Sequence, residues 1–495
     1  MTIMDDSPGP SNKPLNAFVS FPSPYTQTLI IKALVALIPS LKLSLVPPDE
    51  DDPPELQWAD YDLLSFTTPH SHPRTHLISS YIYRKALIRK HQLHKTIEEY
   101  LVKCRYRGRR SVLEDATPRG WVAELQFADE LDEMLVDELG ELREEMEKNC
   151  VSEGVEKKWW ILKPGFADRA QGIRLFSTEE ELRAIFEGFE DDETESDLDE
   201  DGDGVEDEEL DRLAAKIAET QIEEEATGTG VSTSQLRHFV IQEYIPDPIL
   251  FDISQLAHQP LSSDAVGHKF HLRAYVLVTG SYTVHLSRTM LALFSGSPYT
   301  LPSSRQGQEL DLRPHLTNTC LQTDAWGAPA PPEELVKLFW ELEGLDALSY
   351  DSKYRSRGRI TQSWLEDTFC QVGEVIGESV KAGAECGSFG LQLIPNAFEI
   401  FGVDLLMSFP HSDNGDLPIP RITLLEYNAS PDFHQTGQRL QPLLGDMFKG
   451  VVKISVAPFF NLRIDDADED QGAWTVGEEK WGWRLVGKGE IRGGP

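Results

Sequence analysis

Two periodicities in the placement of apolar residues predict most of the elements of this chain. A period of two, the signature of a strand, runs through Phe401–Met407 and again through Ile422–Asn428, with a polar turn between. That pattern predicts a hairpin, and because side chains alternate across a strand, Asp404, Glu426 and Asn428 can converge on one face at a sheet's edge. The same alternation over Lys269–Thr279 sets Lys269, His271, Arg273 and Tyr275 on one face and Phe270, Leu272, Ala274 and Val276 on the other, with Tyr282–Leu286 pairing back across Gly280-Ser281. An apolar strand is expected at His238–Ile245. Residues 158–176 read as a strand ending at Lys163, a glycine-bearing turn, and a second strand from Gly172. Helical spacing appears at about Thr26–Ile38, Tyr81–Tyr100, Glu333–Leu342 and Thr361–Val380. Ser177-Thr-Glu-Glu180 reads as a capping box, opening a helix that buries Leu182, Ile185, Phe186 and Phe189. Strands at Phe18–Phe21 and Leu41–Val46 flank the first helix, making the N-terminal region a small α/β unit.

Composition adds limits. With 495 residues and 40% hydrophobic content, the chain can build two or three lobes. No run of 18 apolar residues occurs, and the acids in the N-terminal MTIMDDSPGPSNK do not suit a targeting signal; a cytoplasmic protein with no membrane segment is expected. Five cysteines lie scattered without metal spacing and read as buried thiols. The net charge of −37 argues against a nucleic-acid partner. It is concentrated: residues 179–225 hold 23 acids against three basic residues, a net −20. Within them Asp197–Glu208 matches a calcium-loop pattern, but an acid-rich run satisfies that pattern by itself and no second loop accompanies it, so a solvated, disordered loop is expected. The stretch from Tyr81 to Tyr100 carries Arg84, Lys85, Arg89 and Lys90 as a cationic patch, either a solvated helix face or a surface turned toward phosphate. Asp404, Glu426 and Asn428 are hard oxygen donors suited to Mg²⁺; the alternative is a strand end with solvated acids.

Taken in order, W-I-L-K-P…R-x-x-G-I, V-I-Q-E-Y-I, K-F-H-L-R-x-Y-V-L-V, H-L-T-N, F-G-V-D and L-L-E-Y-N resemble the tubulin tyrosine ligase and ligase-like family over roughly residues 80–460. The resemblance implies an ATP-grasp fold, α+β/α/β in class. Its expected parts are a small N-terminal α/β domain (1–80), a central domain (81–238) carrying the acidic insertion at about 190–230, a C-terminal domain (239–462) with the magnesium site, and a tail (463–495), the lobes clasping ATP. It implies a ligase that joins a free amino acid to a protein carboxylate, commonly on tubulin, through an acyl phosphate made from ATP. Lys163 and Arg169 would hold the nucleotide phosphates, and Gln242, Glu243, Tyr244 and Ile245 would receive adenine. Lys269, His271 and Arg273 would face the nucleotide, with Lys163 and Arg273 acting in phosphoryl transfer. Asp404, Glu426 and Asn428 match the family's magnesium ligands, and Thr317 and Asn318 its amino-acid contacts.

Three positions depart from the family's pattern. His271 stands where Asp is usual, Ala170 where a glycine is, and Leu293 where an arginine would clamp the amino acid's carboxylate; Arg288, one strand turn earlier, is the available substitute. Tubulin tails are acidic, so a chain of charge −37 would be repelled by them at long range. The sequence therefore supports two functions, an amino-acid ligase or a nucleotide-binding module that has lost ligation and docks protein partners.

Overall fold

The computed structural model describes residues 14–47, 53–125, 127–149, 157–165, 170–196, 238–303, 310–318, 321–322, 332–387, 390–410, 417–464 and 474–489. The acidic insertion beyond residue 196, with its calcium-loop pattern, and Arg169 lie outside them. The chain divides into two units, one of residues 118–246 with 302–312, the other of residues 1–117, 247–301 and 313–495. The divisions between them fall at residues 117 and 246, 301 and 312.

The larger unit opens as the α/β unit expected. Strands β1 (Leu15–Ser20), β2 (Leu41–Ser44), β3 (Leu56–Ala59) and β4 (Leu77–Ile78) form a parallel sheet in the order β2-β1-β3-β4. The helix Pro24–Leu37 buries Leu29, Ile30, Ala33 and Leu34, and Ser23 caps it by accepting from the Thr26 N–H. These side chains share one core with Phe398, Phe433, Leu444 and Phe448 from late in the chain, so the N-terminal α/β elements pack as part of this unit.

In the smaller unit, β5 (Gly120–Glu124), β6 (Trp160–Pro164), β7 (Arg174–Phe176) and β8 (His238–Glu243) make an antiparallel sheet in the order β5-β8-β6-β7. Its core is built on Trp160, Leu162, Phe176 and Phe239, against which the helix Glu179–Ser196 lays Leu182 and Phe186. The cap sits one residue later than expected. Glu181 N–H donates to Thr178 Oγ1 (3.2 Å), while the Glu181 carboxylate accepts from the Ser177 N–H (2.7 Å).

A seven-stranded sheet dominates the larger unit: β9 (His268–Thr279), β10 (Thr283–Pro298), β14 (Phe398–Ser408), β15 (Arg421–Asn428), β16 (Glu479–Lys480) and β17 (Trp483–Lys488) run in the order β15-β14-β9-β10-β17-β16, and β11 (Val336–Leu338) pairs with β10. The short hairpin β12 (Asp346–Tyr350) and β13 (Tyr354–Arg359) stands apart from it. One face of the large sheet packs on the helix Gln362–Cys386, which follows the predicted spacing and buries Leu365, Phe369, Val372, Ile376 and Val380. The other lies over the helix Gln441–Val451 and the N-terminal elements.

Two expected helices come out differently. Residues 333–342 form one helical turn, then β11, then a 3₁₀ turn, because Leu291 and Leu293 of β10 offer edge partners to Leu338 and Val336. The basic helix breaks at Arg89, whose backbone is extended (φ −96°, ψ 116°), into Lys85–Ile88 and Lys90–Tyr106. Part of its cationic face is already engaged: Arg84 lies 3.0 Å from Glu399 and 3.8 Å over the Tyr61 ring.

Burial pushes the Glu399 carboxyl up to about 7, against the opposing pull of Arg84 and of the Tyr81 N–H bonded to it. A carboxyl raised on folding binds its proton more tightly in the folded state, so its contribution falls as pH rises from about 4.5 to about 7 and is level above that. Urea unfolding at pH 5 and pH 7.5 checks this: wild type is expected to lose stability relative to Glu399→Gln across that interval, and an unchanged difference would refute it.

Candidate active site

The candidate ligands meet where three neighbouring strands run side by side. In the register, Arg273 of β9 stands beside Asp404 of β14, and Asp404 beside Glu426 of β15. One step along its strand from Glu426 is Asn428, and one step from Arg273 is His271. The alternation read from sequence therefore assembles the cluster, with a bulge after Asp404 accommodating the extra residue on β15.

Charge organises the cluster. Arg273 binds both oxygens of Asp404, with Nη2–Oδ2 at 3.0 Å, and Asn428 Nδ2 donates to Oδ2 at 3.2 Å. Burial by itself would raise the Asp404 carboxyl, but the guanidinium and His271 hold it below the usual carboxylate range. Burial would likewise lower Arg273, and the Asp404 charge more than offsets this, raising it. His271 is fully enclosed. Its Nδ1 shares a 2.6 Å hydrogen bond with Thr317 Oγ1, and its Nε2 has no hydrogen-bond partner, lying 3.6 Å from Asp404 Oδ1. Burial lowers the imidazole, the carboxylate of Asp404 pulling the other way. Thr317, matched to the amino-acid contacts, is thus tied to His271; Asn318 follows it, half-buried. Lys269 is buried on the same strand face.

Two carboxylates with an amide oxygen are the donors that Mg²⁺ takes, and the residues present fit it. Among the described residues no three of His, Cys, Asp and Glu gather as a group that could hold a metal ion.

Sequence reasoning missed one member of this cluster. Lys90, read only as part of a cationic surface, places its Nζ 3.1 Å from Glu426 Oε2, with 15% and 19% of the two side chains exposed. The two residues are far apart in the chain, and no local pattern signals their contact.

The arginine expected as a substitute clamp is engaged elsewhere. Arg288 forms two 2.7 Å bonds to the Glu366 carboxylate and stacks 4.1 Å from the Trp340 ring and 4.8 Å from that of Phe369, against the helix Gln362–Cys386. Leu293 lies buried on the opposite face of β10, in the core of Tyr275, Leu277 and Leu291. Arg288 does not join the cluster around Asp404, whereas Leu293 stands in register beside His271.

In the smaller unit, Lys163, next to last in β6, donates to Gln242 Oε1 of β8 at 2.9 Å, both side chains being buried. Glu243 closes β8, its N–H bonded to the Arg119 carbonyl; the Tyr244 N–H bonds the Trp159 carbonyl, and Ile245 follows, half-buried. Ala170, where the family has glycine, adopts φ 63°, the left-handed region in which a Cβ costs about 1 kcal/mol.

Comparison with known proteins bears on the family and the fold. The profile of the Tubulin-tyrosine ligase family matches residues 79–464. A probable tubulin–tyrosine ligase of Schizosaccharomyces pombe is 34% identical over 453 residues, 91% of this chain and 93% of that protein. Another, PBY1 of Saccharomyces cerevisiae, is 34% identical over 419 residues, 83% of this chain and 47% of that longer protein. Among solved structures, the C-terminal domain of K. lactis Pby1, described as an ATP-grasp enzyme interacting with the mRNA decapping enzyme Dcp2, superposes with a TM-score of 0.59 at 27% identity, covering 96% of this chain and all of that domain.

Proposed function

Because this chain belongs to the tubulin-tyrosine ligase family and has the ATP-grasp fold, we propose that it is an ATP- and Mg²⁺-dependent ligase joining a free amino acid to a protein carboxylate through an acyl phosphate, with tubulin as the acceptor the family suggests. The observation that carries this reading is the row Arg273–Asp404–Glu426 with Asn428 beside it. Asp404, Glu426 and Asn428 would hold the metal, which supplies charge neutralisation at the phosphates. Arg273, Lys269 and Lys163 add fixed positive charge where negative charge gathers during phosphoryl transfer. The Arg169 guanidinium is assigned to the phosphates as well, and Gln242 to Ile245 to the adenine edge. His271, through its bond to Thr317, orients the hydroxyl assigned with Asn318 to the incoming amino acid.

A second reading has a specific observation in its favour. Buried Leu293 and the engagement of Arg288 by Glu366 leave the amino-acid carboxylate without the arginine clamp of the family, which suits a nucleotide-binding module that docks a protein partner. Calorimetry with ATP, with and without Mg²⁺, followed by assay of ADP release with tubulin and a mixture of amino acids, separates the two. Under the ligase reading ATP binds tightly only with Mg²⁺, that binding weakens at least tenfold in Glu426→Ala, about 1.4 kcal/mol, and turnover requires both co-substrates. ATP binding without turnover for any amino acid favours the module.

A further inference from the structure

Lys90 is in an unfavourable place for a residue that only supports the fold. It is the first residue of the helix Lys90–Tyr106, whose first turn contains no acid and whose Arg89 cap makes no side-chain hydrogen bond. A cation there opposes the helix dipole and adds to the positive field of the unpaired N–H groups. What holds the ammonium is Glu426, at 3.1 Å. Glu426 in turn stands in register beside Asp404, which Arg273 holds. Each of the two carboxylates assigned to the metal is thus matched by one cation, and the four charges balance.

We propose that Lys90 is a charge-exchange residue of the nucleotide site: it neutralises Glu426 while the metal is absent, and is released to a phosphate of the nucleotide when a divalent cation takes the carboxylate. The inference rests on the ATP and Mg²⁺ reading above and gives Lys90 two opposed effects. Against the cation alone Lys90 competes, because the metal must displace an ammonium from its ligand. Toward nucleotide it contributes, because the displaced charge is then available to an anion beside the positive end of the helix. The residue makes the two ligands bind better together than separately.

Opposite signs make the test decisive. Mn²⁺ alone, and ATP in the presence of Mg²⁺, are titrated calorimetrically into wild type, Lys90→Met and Lys90→Gln, with Lys85→Met, an exposed cation of the preceding helical turn, as control. Both Lys90 variants are expected to bind Mn²⁺ at least threefold more tightly and ATP about tenfold more weakly, corresponding to about 0.7 and 1.4 kcal/mol, while Lys85→Met matches wild type. Thermal unfolding shows that each Lys90 variant is folded, so that a change in binding is not a loss of structure. If the variants bind Mn²⁺ no more tightly than wild type, the exchange is overturned, whatever happens to ATP. A wild-type protein that binds neither Mn²⁺ nor ATP overturns the nucleotide-site reading itself, and the exchange with it.

Discussion

Asp404→Ala is expected to abolish Mg²⁺-dependent nucleotide binding and to destabilise the larger unit by about 3–5 kcal/mol, the usual cost of leaving a buried charge without its partner. Arg273 has 12% of its side chain exposed, and its guanidinium is held by both Asp404 oxygens. Removing the carboxylate leaves that charge without its partner, on a side chain that packs over Gly402 and Pro431. The double change Arg273→Met with Asp404→Leu should recover most of the lost stability, because both charges go together, while nucleotide binding stays lost. Urea unfolding of the three proteins, read beside ATP calorimetry, checks both halves. A single variant within about 1 kcal/mol of wild type would show that the pair is solvated and that its geometry is not what fixes the cluster.

Trp483→Ala carries the largest expected cost outside the site, about 3–5 kcal/mol. Trp483 is fully buried in β17, donates its indole N–H to the Met447 carbonyl at 3.2 Å, and packs so closely on the helix Gln441–Val451 that a Cβ added to Gly450 would fall 2.5 Å from Nε1. From sequence, residues 463–495 read only as a tail. The pairing of β17 with β10 assigns residues 483–488 to the core. Limited proteolysis gives a second readout: the tail of Trp483→Ala should be cut faster than that of wild type, and equal protection would place the strand's anchorage elsewhere.

What was legible followed from strand alternation. The faces of β9 and the pairing of β14 with β15 are local properties, so Lys269, His271, Arg273, Asp404, Glu426 and Asn428 could be placed from their spacing, and the family resemblance supplied the order in which the strands matter. What was not legible depended on neighbours distant in sequence. Residues 333–342 have helical spacing, yet β10 offers Val336 and Leu338 an edge to pair with. Arg89 carries no helix-breaking signal of its own, and the break there brings Lys90 to Glu426. Arg288 was assigned by its nearness along the strand, but the bulge between Leu286 and Met290 and the aromatic shelf of Trp340 and Phe369 turn it to Glu366. The hairpin β12–β13 was missed because its strands are short and largely polar.

The place of β17 in the large sheet also bears on synthesis. The sheet of β5 to β8 is complete once Glu243 has left the ribosome, so Lys163 and Gln242 can meet in a finished sheet while half of the chain is still being made. The sheet bearing Arg273 and Asp404 must wait, because the strand beside β10 is the last of the described strands to be translated. A chain stalled before Trp483 would carry the lysine assigned to phosphate on a finished support and the carboxylates assigned to metal on an unfinished one. Such a chain would expose the unpaired edge of β10, the kind of surface that chaperones and quality-control proteases recognise.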